Sequence, residues 1–301
     1  MNFLLIVLPA FLIFAVGFIG QKMIGFDPKP ISVLALYLMS PFLAFRTFYM
    51  NPVTIDYFYI FAFCLLLCLS LIFISFLAGK MMKSTDSQIS AFVLTGVFMN
   101  SGNYGVPIIL FAYGGVGFDE AVIMMVIQSF LMSSIGLYFA AKGSREGLSM
   151  KQSLIRVARM PIIYGALLGV LFQLVSIDIP VQLYQSIEMI ADATIPTIMI
   201  VLGMQLALIK RKEVPMRELS FIVIMRTIIS PIVALAIIYI LQIDQPLASV
   251  LIVLSAMPSA ANTTMFALQF DTEPDLVSFS TLVTTILSLI TIPIMLMLVS
   301  M

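Results

Sequence analysis

The sequence predicts an all-α polytopic membrane protein with ten transmembrane helices. These form two inverted five-helix repeats in which helices 4 and 9 are broken and cross. Three observations predict this. Of 301 residues, 61% are hydrophobic and only 10% are charged, too few charges for a soluble domain of this size. Apolar runs of spanning length recur ten times along the chain. The Lys and Arg residues fall almost entirely in alternate connections between those runs.

In chain order the spans are placed at 2–22, 31–50, 57–79, 87–116, 119–141, 158–177, 186–209, 216–242, 246–270 and 275–300. The first run, NFLLIVLPAFLIFAVGFIGQ, lacks a basic leader and a small-residue cleavage pattern, so it reads as a retained span. The second holds Arg46 near its end, where a long side chain reaches back to the interface. In the third, Cys64 and Cys68 stand four residues apart on one helix face and read as small hydrophobic side chains. The uncharged run from Ser87 to Phe118 has 32 residues. As one helix it would measure about 48 Å at ~1.5 Å per residue, against a hydrocarbon core of ~30 Å. Span 4 is therefore read as two half-helices meeting at an unwound segment. In TGVFMNSGNYGVPI that segment has Asn100, Ser101, Gly102, Asn103, Tyr104, Gly105 and Pro107 to loosen the backbone and supply amides. Span 9 is broken in the same way around Pro258, in AMPSAANTTMFALQF.

The connections after spans 1, 3, 5 and 7 hold Lys22, Lys29, Lys80, Lys83, Lys142, Arg145, Lys151, Arg156, Arg159, Lys210, Arg211, Lys212 and Arg217, thirteen of the fifteen basic residues. The positive-inside rule makes these connections cytoplasmic and places both termini outside. The expected location is the cell membrane, with the lipid bilayer as partner. The longest basic connection divides the chain into a first repeat at 1–142, a linker at 143–157 and a second repeat at 158–301. Pro41 and Pro196 differ by 155 positions, and so do Glu120 and Asp275. The same offset lays Asn103 over Pro258 and Pro107 over Asn262. Five spans per repeat is odd, so the second repeat enters the membrane from the opposite side, a recurrent plan of secondary transporters.

Unwound backbone is tolerated at membrane depth only where protein or a water-filled cavity meets its polar groups. The two breaks are therefore the expected binding site. The second contributes Ser255, Ser259, Asn262, Thr263 and Thr264 around Pro258. Crossing half-helices bring positive N-termini and negative C-termini to a shared cavity, which suits a small anion; the same small polar residues can also serve only to join helices. Arg226 is the most informative single charge, since an ionisable residue at depth is a functional candidate. It either balances an anionic substrate, pairs with a carboxylate or a helix C-terminus, or lies at the interface. Asp192 stands 18 residues before Lys210, about 27 Å along a helix and hence near the outer side. It is a coupling-proton candidate or an exposed acid near the start of its helix. Gln128 and Ser129 are uncharged candidates for the same cavity. Gly165 and Gly169 form a G-x-x-x-G pattern, read as close packing before a dimer seam, and a homodimer is a candidate assembly.

Several classes are excluded or unsupported. The net charge is zero, so nucleic acid has no electrostatic footprint here. There is no His, no metal-ligand cluster, no G-x-S-x-G and no phosphate loop with its Lys. The chain therefore reads as a non-enzyme with neither cofactor nor metal. Two classes remain: a secondary transporter of small organic anions, and a non-transporting receptor or sensor for such an anion on the same fold.

The segments NSGNYGVPI, PTIMIVLGMQL, RTIISP and MPSAANTTMFALQFDTEPDLVSFSTLVTTILSLITIPI, in that order and through nearly the whole chain, resemble the auxin efflux carrier family of bacteria, archaea and plants. The resemblance implies a ten-helix inverted-repeat fold similar to bile-acid transporters and sodium/proton antiporters, with helices 4 and 9 crossing. It implies a carrier, expected to export, of organic anions: auxins in plants, dicarboxylates such as malonate in some bacteria. Carried over, the crossover would use Asn103, Pro107, Pro258 and Asn262. The long cytoplasmic loop of plant members is absent here. The helix 9 segment lacks the acidic residue that sodium-coupled relatives of this fold carry.

Overall fold

The computed structural model describes residues 3–143, 160–208 and 213–299, with side chains from residue 8 onward. The linker expected at 143–157 lies outside the described residues except for Gly143, and so do seven of the basic residues that set the orientation: Arg145, Lys151, Arg156, Arg159, Lys210, Arg211 and Lys212.

The described chain is helical, and its regular pairing of extended backbone is confined to an isolated bridge between Met99 and Ser259. Helix α1 covers Phe3–Ile24. After Asp27, whose carboxylate accepts the Lys29 N–H at 3.0 Å, α2 (Pro28–Val33) runs through a π-helical turn at Leu34–Met39 into α3 (Ser40–Met50). Helix α4 spans Ile55–Met82 and ends on Lys83 in a left-handed conformation. The sequence Thr85-Asp86-Ser87-Gln88 then closes a capping box, with Gln88 N–H donating to the Thr85 hydroxyl and Thr85 N–H to the Gln88 side chain. From that cap α5 runs over Asp86–Gly96 and stops. The chain resumes as a π-helical turn at Ser101–Gly105 that leads into α6 (Val106–Leu131), which is interrupted at Gly114 (φ 69°, ψ −153°). A third π-helical turn, Met132–Gly136, joins it to α7 (Leu137–Lys142).

The remaining helices are α8 (Pro161–Leu174), α9 (Val181–Leu208), α10 (Met216–Ile224), α11 (Ser230–Leu241), α12 (Leu247–Ser255), α13 (Ala261–Phe270) and α14 (Pro274–Val299). A fourth π-helical turn, Met225–Ile229, joins α10 to α11 and carries Arg226. Among the described residues, six continuous helices are long and apolar enough to cross a membrane: Pro28–Met50, Ile55–Met82, Ser101–Lys142, Val181–Leu208, Met216–Leu241 and Pro274–Val299; Leu8–Ile24 and Pro161–Leu174 are shorter apolar helices. The molecule is a multi-pass helical membrane protein. Leu12, Phe73, Leu171, Tyr239 and Ile290 are among the many large apolar side chains that point outward, as lipid-facing positions should, because hydrocarbon exerts no hydrophobic penalty on them.

Two helix pairs approach to backbone contact through small residues. Helix α8 lies on α3: a Cβ at Gly165 would overlap the Pro41 carbonyl, and one at Gly169 would sit 2.6 Å from the Phe45 carbonyl oxygen and 3.0 Å from the Phe48 Cβ. The rings of Phe45 and Phe172 meet edge to face at 5.6 Å. The contacts advance together along both chains, from 41 with 165 to 45 with 169, so these helices run in the same direction. Helix α1 lies on α9 likewise, where Gly17 meets Ile200 and Gly203 meets Phe14, carbonyl against Cα in both cases. The Gly165/Gly169 pattern is therefore spent inside the chain and does not form a dimer seam. The turn between α13 and α14 holds Asp271 and Glu273; there burial, reinforced by Asp271 and Glu218, raises the Glu273 carboxyl above its ordinary range.

The glycine contacts yield a packing prediction. Gly203→Leu would drive a branched side chain into the Phe14 backbone, which cannot give way as a flexible side chain can. Overpacking of this kind costs about 1–3 kcal/mol, so the variant is expected to unfold at a lower temperature than wild type in detergent. An unchanged unfolding temperature would contradict this contact.

Candidate functional site

The site is built by two gaps in helices. Between α5 and the turn at Ser101, Asn100 leaves helical geometry (φ −80°, ψ 63°); between α12 and α13, Ala260 is extended (φ −67°, ψ 129°). The two gaps lie against each other in antiparallel sense. Asn100 N–H donates to the Pro258 carbonyl at 2.8 Å, and Ala260 N–H donates to the Phe98 carbonyl at 2.9 Å. Gly105 packs closely nearby, where a Cβ would lie 2.6 Å from Leu254 Cδ2 on α12.

A helix end in hydrocarbon must find partners for its last carbonyls. Here the partners of five such carbonyls can be named. The Thr95 carbonyl accepts the Ser259 hydroxyl at 2.8 Å. Those of Gly96 and Val97 accept from Arg226 Nη1 at 3.0 and 3.5 Å. That of Ser255 accepts from Arg226 Nη2 and from the Ser230 hydroxyl, both at 2.8 Å. That of Met257 accepts from Arg226 Nε at 3.2 Å and Nη2 at 2.7 Å. Arg226 is fully buried and touches the C-terminal ends of both α5 and α12. Of the three roles open for it in the sequence, the structure places it at helix C-termini, away from the cavity, with its guanidinium donors already engaged.

On the opposite side of the crossing the first turns after both gaps, Ser101–Gly105 and the start of α13, have no side-chain cap. They border a small cavity, about 50 Å³, lined by Asn100, Ser101, Gly102 and Asn103 from the first gap and by Ala260, Ala261 and Asn262 from the second. Gln128 and Ser129 on α6 close another wall, with Met125 and Met132; Phe98 and Met99 of the first gap and Leu36, Ser40, Ile162 and Ile198 complete the lining. The Asn100 side-chain nitrogen is buried with no hydrogen-bond partner. A buried amide donor without an acceptor is costly, and a ligand acceptor in the cavity would relieve that cost. The cavity thus combines two uncapped helix N-termini, each carrying roughly half a positive charge, with amides and the hydroxyls of Ser40, Ser101 and Ser129 but no ionised side chain. Its volume is that of a few water molecules. A larger crevice of about 440 Å³ between α11 and α14 is lined mainly by Ile228, Pro231, Ile232, Leu235, Met295 and Leu298. Its polar lining is limited to Thr227 and Gln245.

Six of the predicted residues are brought together at the cavity: Asn100, Ser101, Asn103, Asn262, Gln128 and Ser129. Others are not. Tyr104 accepts a hydrogen bond from the Ser288 hydroxyl at 2.7 Å and stacks on Phe14 at 5.3 Å, fastening the first gap to α14 and α1. Pro107 is the second residue of α6, just after the π-helical turn, and is not part of the cavity lining. Pro258 and Ser259 form the crossing itself; Ser255 and Thr263 return their hydroxyls to the carbonyls of Ile252 and Ala260. Asp192 forms an ion pair with Arg46 and is 66% exposed, so it sits on the surface and not in the cavity. The offset of 155 that laid Asn103 over Pro258 also needs correction at this point: the bridge joins Met99 to Ser259, so the crossing relates positions 160 apart. Sequence reasoning missed Ser230, which stands four residues after Arg226 and immediately before Pro231. It also missed Ser40 and Leu36. The Ser-Pro pairs at 40–41 and 230–231 were the available signal. All four π-helical turns lie on helices that reach the crossing or its cavity, in keeping with the placement of such turns at functional sites.

Residues 3–296 match a protein family described as "Membrane transport protein". The chain is 29% identical over 201 residues to an "Uncharacterized transporter" of Methanothermobacter thermautotrophicus, a match covering 66% of this chain and 65% of that protein, just under two thirds of its length. It is 27% identical over 234 residues to an uncharacterized transporter of Methanocaldococcus jannaschii, covering 75% and 74% of the two chains. A protein of Rhizobium meliloti named "Putative malonate transporter" is 23% identical over 215 residues, 70% of this chain and 67% of that one. With the family match running through nearly all of the described helices, the chain belongs to the membrane transport protein family, the auxin efflux carrier family that its motifs resemble.

Proposed function

We propose that this protein is a secondary transporter that exports small organic anions by alternating access, with the ligand held at the crossing of the two broken segments. The observation that carries the reading is the division of charge across the crossing. The negative helix ends are consumed by Arg226, while the positive, uncapped ends border the cavity with Asn100, Asn103 and Asn262. A carboxylate is the natural counterpart of such ends. The malonate named for one relative makes short dicarboxylates the first substrates to try. A cavity of about 50 Å³ is far smaller than a ligand-sized pocket, so this is a constricted state, and alternating access must widen it.

We infer ten spans in two inverted repeats, 1–142 and 158–301. Helix Ser101–Lys142 has 42 residues, about 63 Å at ~1.5 Å per residue; the interruption at Gly114 divides it into the outer half of span 4 and span 5. The pairs α5 with the start of that helix, and α12 with α13, then each make one broken span. Internal contacts support the repeat. Shifting by 155 positions turns the contact of Gly17 with Ile200 into that of Phe172 with Phe45, and the contact of Phe14 with Gly203 into that of Gly169 with Phe48.

Charge supplies a driving force for the proposed export. A monoanion leaving a cell held negative inside gains ~2.3 kcal/mol per 100 mV, about 1.7 decades of concentration ratio, and so needs no coupled ion.

Two measurements test this reading. For orientation, a cysteine placed at Ser149 should resist an impermeant thiol reagent added to intact cells and react once they are opened; labelling from outside would reverse the inferred topology. For the site, proteoliposomes loaded with malonate should show efflux that speeds up when the interior is clamped negative. Asn103→Ala with Asn262→Ala should slow that efflux, with a loss of about 1–3 kcal/mol per polar contact and little change in unfolding temperature. Ligand binding without efflux would favour a receptor, and wild-type efflux in the double variant would remove the site.

A further inference from the structure

The Arg226 guanidinium is fully buried, and the carboxylates of the described residues are not among its hydrogen-bond partners. An uncompensated charge there would be prohibitively costly. Its compensation is made of oxygens alone: the carbonyls of Gly96, Val97, Ser255 and Met257, with the Ser230 hydroxyl 3.4 Å from Nη1. These oxygens come from two helix C-termini, each worth roughly half a negative charge. One guanidinium therefore balances both ends. Carbonyl and hydroxyl oxygens converging on one positive centre are also the donor set that a hard monovalent cation takes.

We propose that Arg226 is a fixed cation occupying a built-in cation site at the crossing, and that it removes the need for a free metal cation when an anion binds on the other side. Arg226 is a positioning residue. It locks the C-terminal half of the crossing electrostatically and leaves the positive N-terminal ends free to act on the cavity. This rests on the anion-carrier reading for its consequence, though the cation site itself stands on the hydrogen bonds alone.

The test uses the purified full chain in detergent, with thermal unfolding as readout and choline as the reference cation. Arg226→Ala should lower the unfolding temperature. Guanidinium chloride at low millimolar concentration should restore at least half of that loss while leaving wild type unmoved, with sodium or potassium restoring less. Wild-type stability in Arg226→Ala, or a lowered value that neither guanidinium nor alkali cations move beyond their effect on wild type, would overturn the proposal. Should Arg226→Ala not be obtained folded, Arg226→Lys and Arg226→Gln decide: a fixed cation makes Lys the more stable, and equal stability overturns it. Stabilisation of wild type by malonate should be the same in choline as in sodium; a malonate shift confined to sodium overturns cation independence. A complete absence of malonate stabilisation in both salts would count against malonate as ligand, and the guanidinium result would still decide the role of Arg226.

Discussion

Backbone that leaves helical geometry inside a membrane must have its amides and carbonyls met by protein or trapped water, because hydrocarbon offers nothing in return. The fold depends on how that constraint is satisfied where Phe98–Asn100 meets Pro258–Ala260. Two main-chain hydrogen bonds tie the gaps together. Ser259, Ser230 and Arg226 then meet the carbonyls of Thr95, Gly96, Val97, Ser255 and Met257 at the ends of α5 and α12. With those partners in place, two interrupted helices can stand at the centre of the molecule at little cost. Each gap thus supports the other through these two bonds.

The same arrangement sorts charge. Helix C-termini and a guanidinium neutralise one another on one side, and uncapped N-termini face amide side chains on the other. The cavity is thereby bordered by positive helix ends without containing a cationic side chain, which is the basis of the proposed carboxylate site. Around this centre, α1 on α9 and α3 on α8 form close contacts through glycines. Those pairs contribute Ser40, Ile162 and Ile198 to the cavity wall, and the π-helical turn before α3 contributes Leu36, so a shift of these helices against the crossing would change the cavity directly.

Much of this was legible in the sequence because hydrocarbon thickness, helix rise and charge placement are simple constraints. The breaks at Asn100 and Pro258 followed from run length and from Gly, Pro and Asn residues within it, and the cavity residues Asn103, Asn262 and Gln128 followed from being polar at depth. What stayed hidden depends on three-dimensional closure. Whether Arg226 faces substrate or helix ends is decided by where α5 and α12 stop, and a linear pattern does not fix that to a residue. The register of the crossing is 160 at the bridge, and α5 and α12 already start at Asp86 and Leu247, so the departure from 155 is present before the gaps, which two proline landmarks cannot reveal. Asp192 stood out as an acid in an apolar helix, yet its partner Arg46 is distant in sequence, so the pair could be seen only after folding.

The central claim is that a carboxylate sits between the two uncapped helix starts, beside Asn100, Asn103 and Asn262, and not on Arg226. The most direct measurement is diffraction from crystals grown with bromomalonate, with the anomalous signal locating the bromine. The account predicts a peak in the cavity bordered by those three asparagines, displaced by added malonate. A displaceable peak against Arg226, or on the lipid-facing crevice between α11 and α14 with the cavity empty, would contradict it.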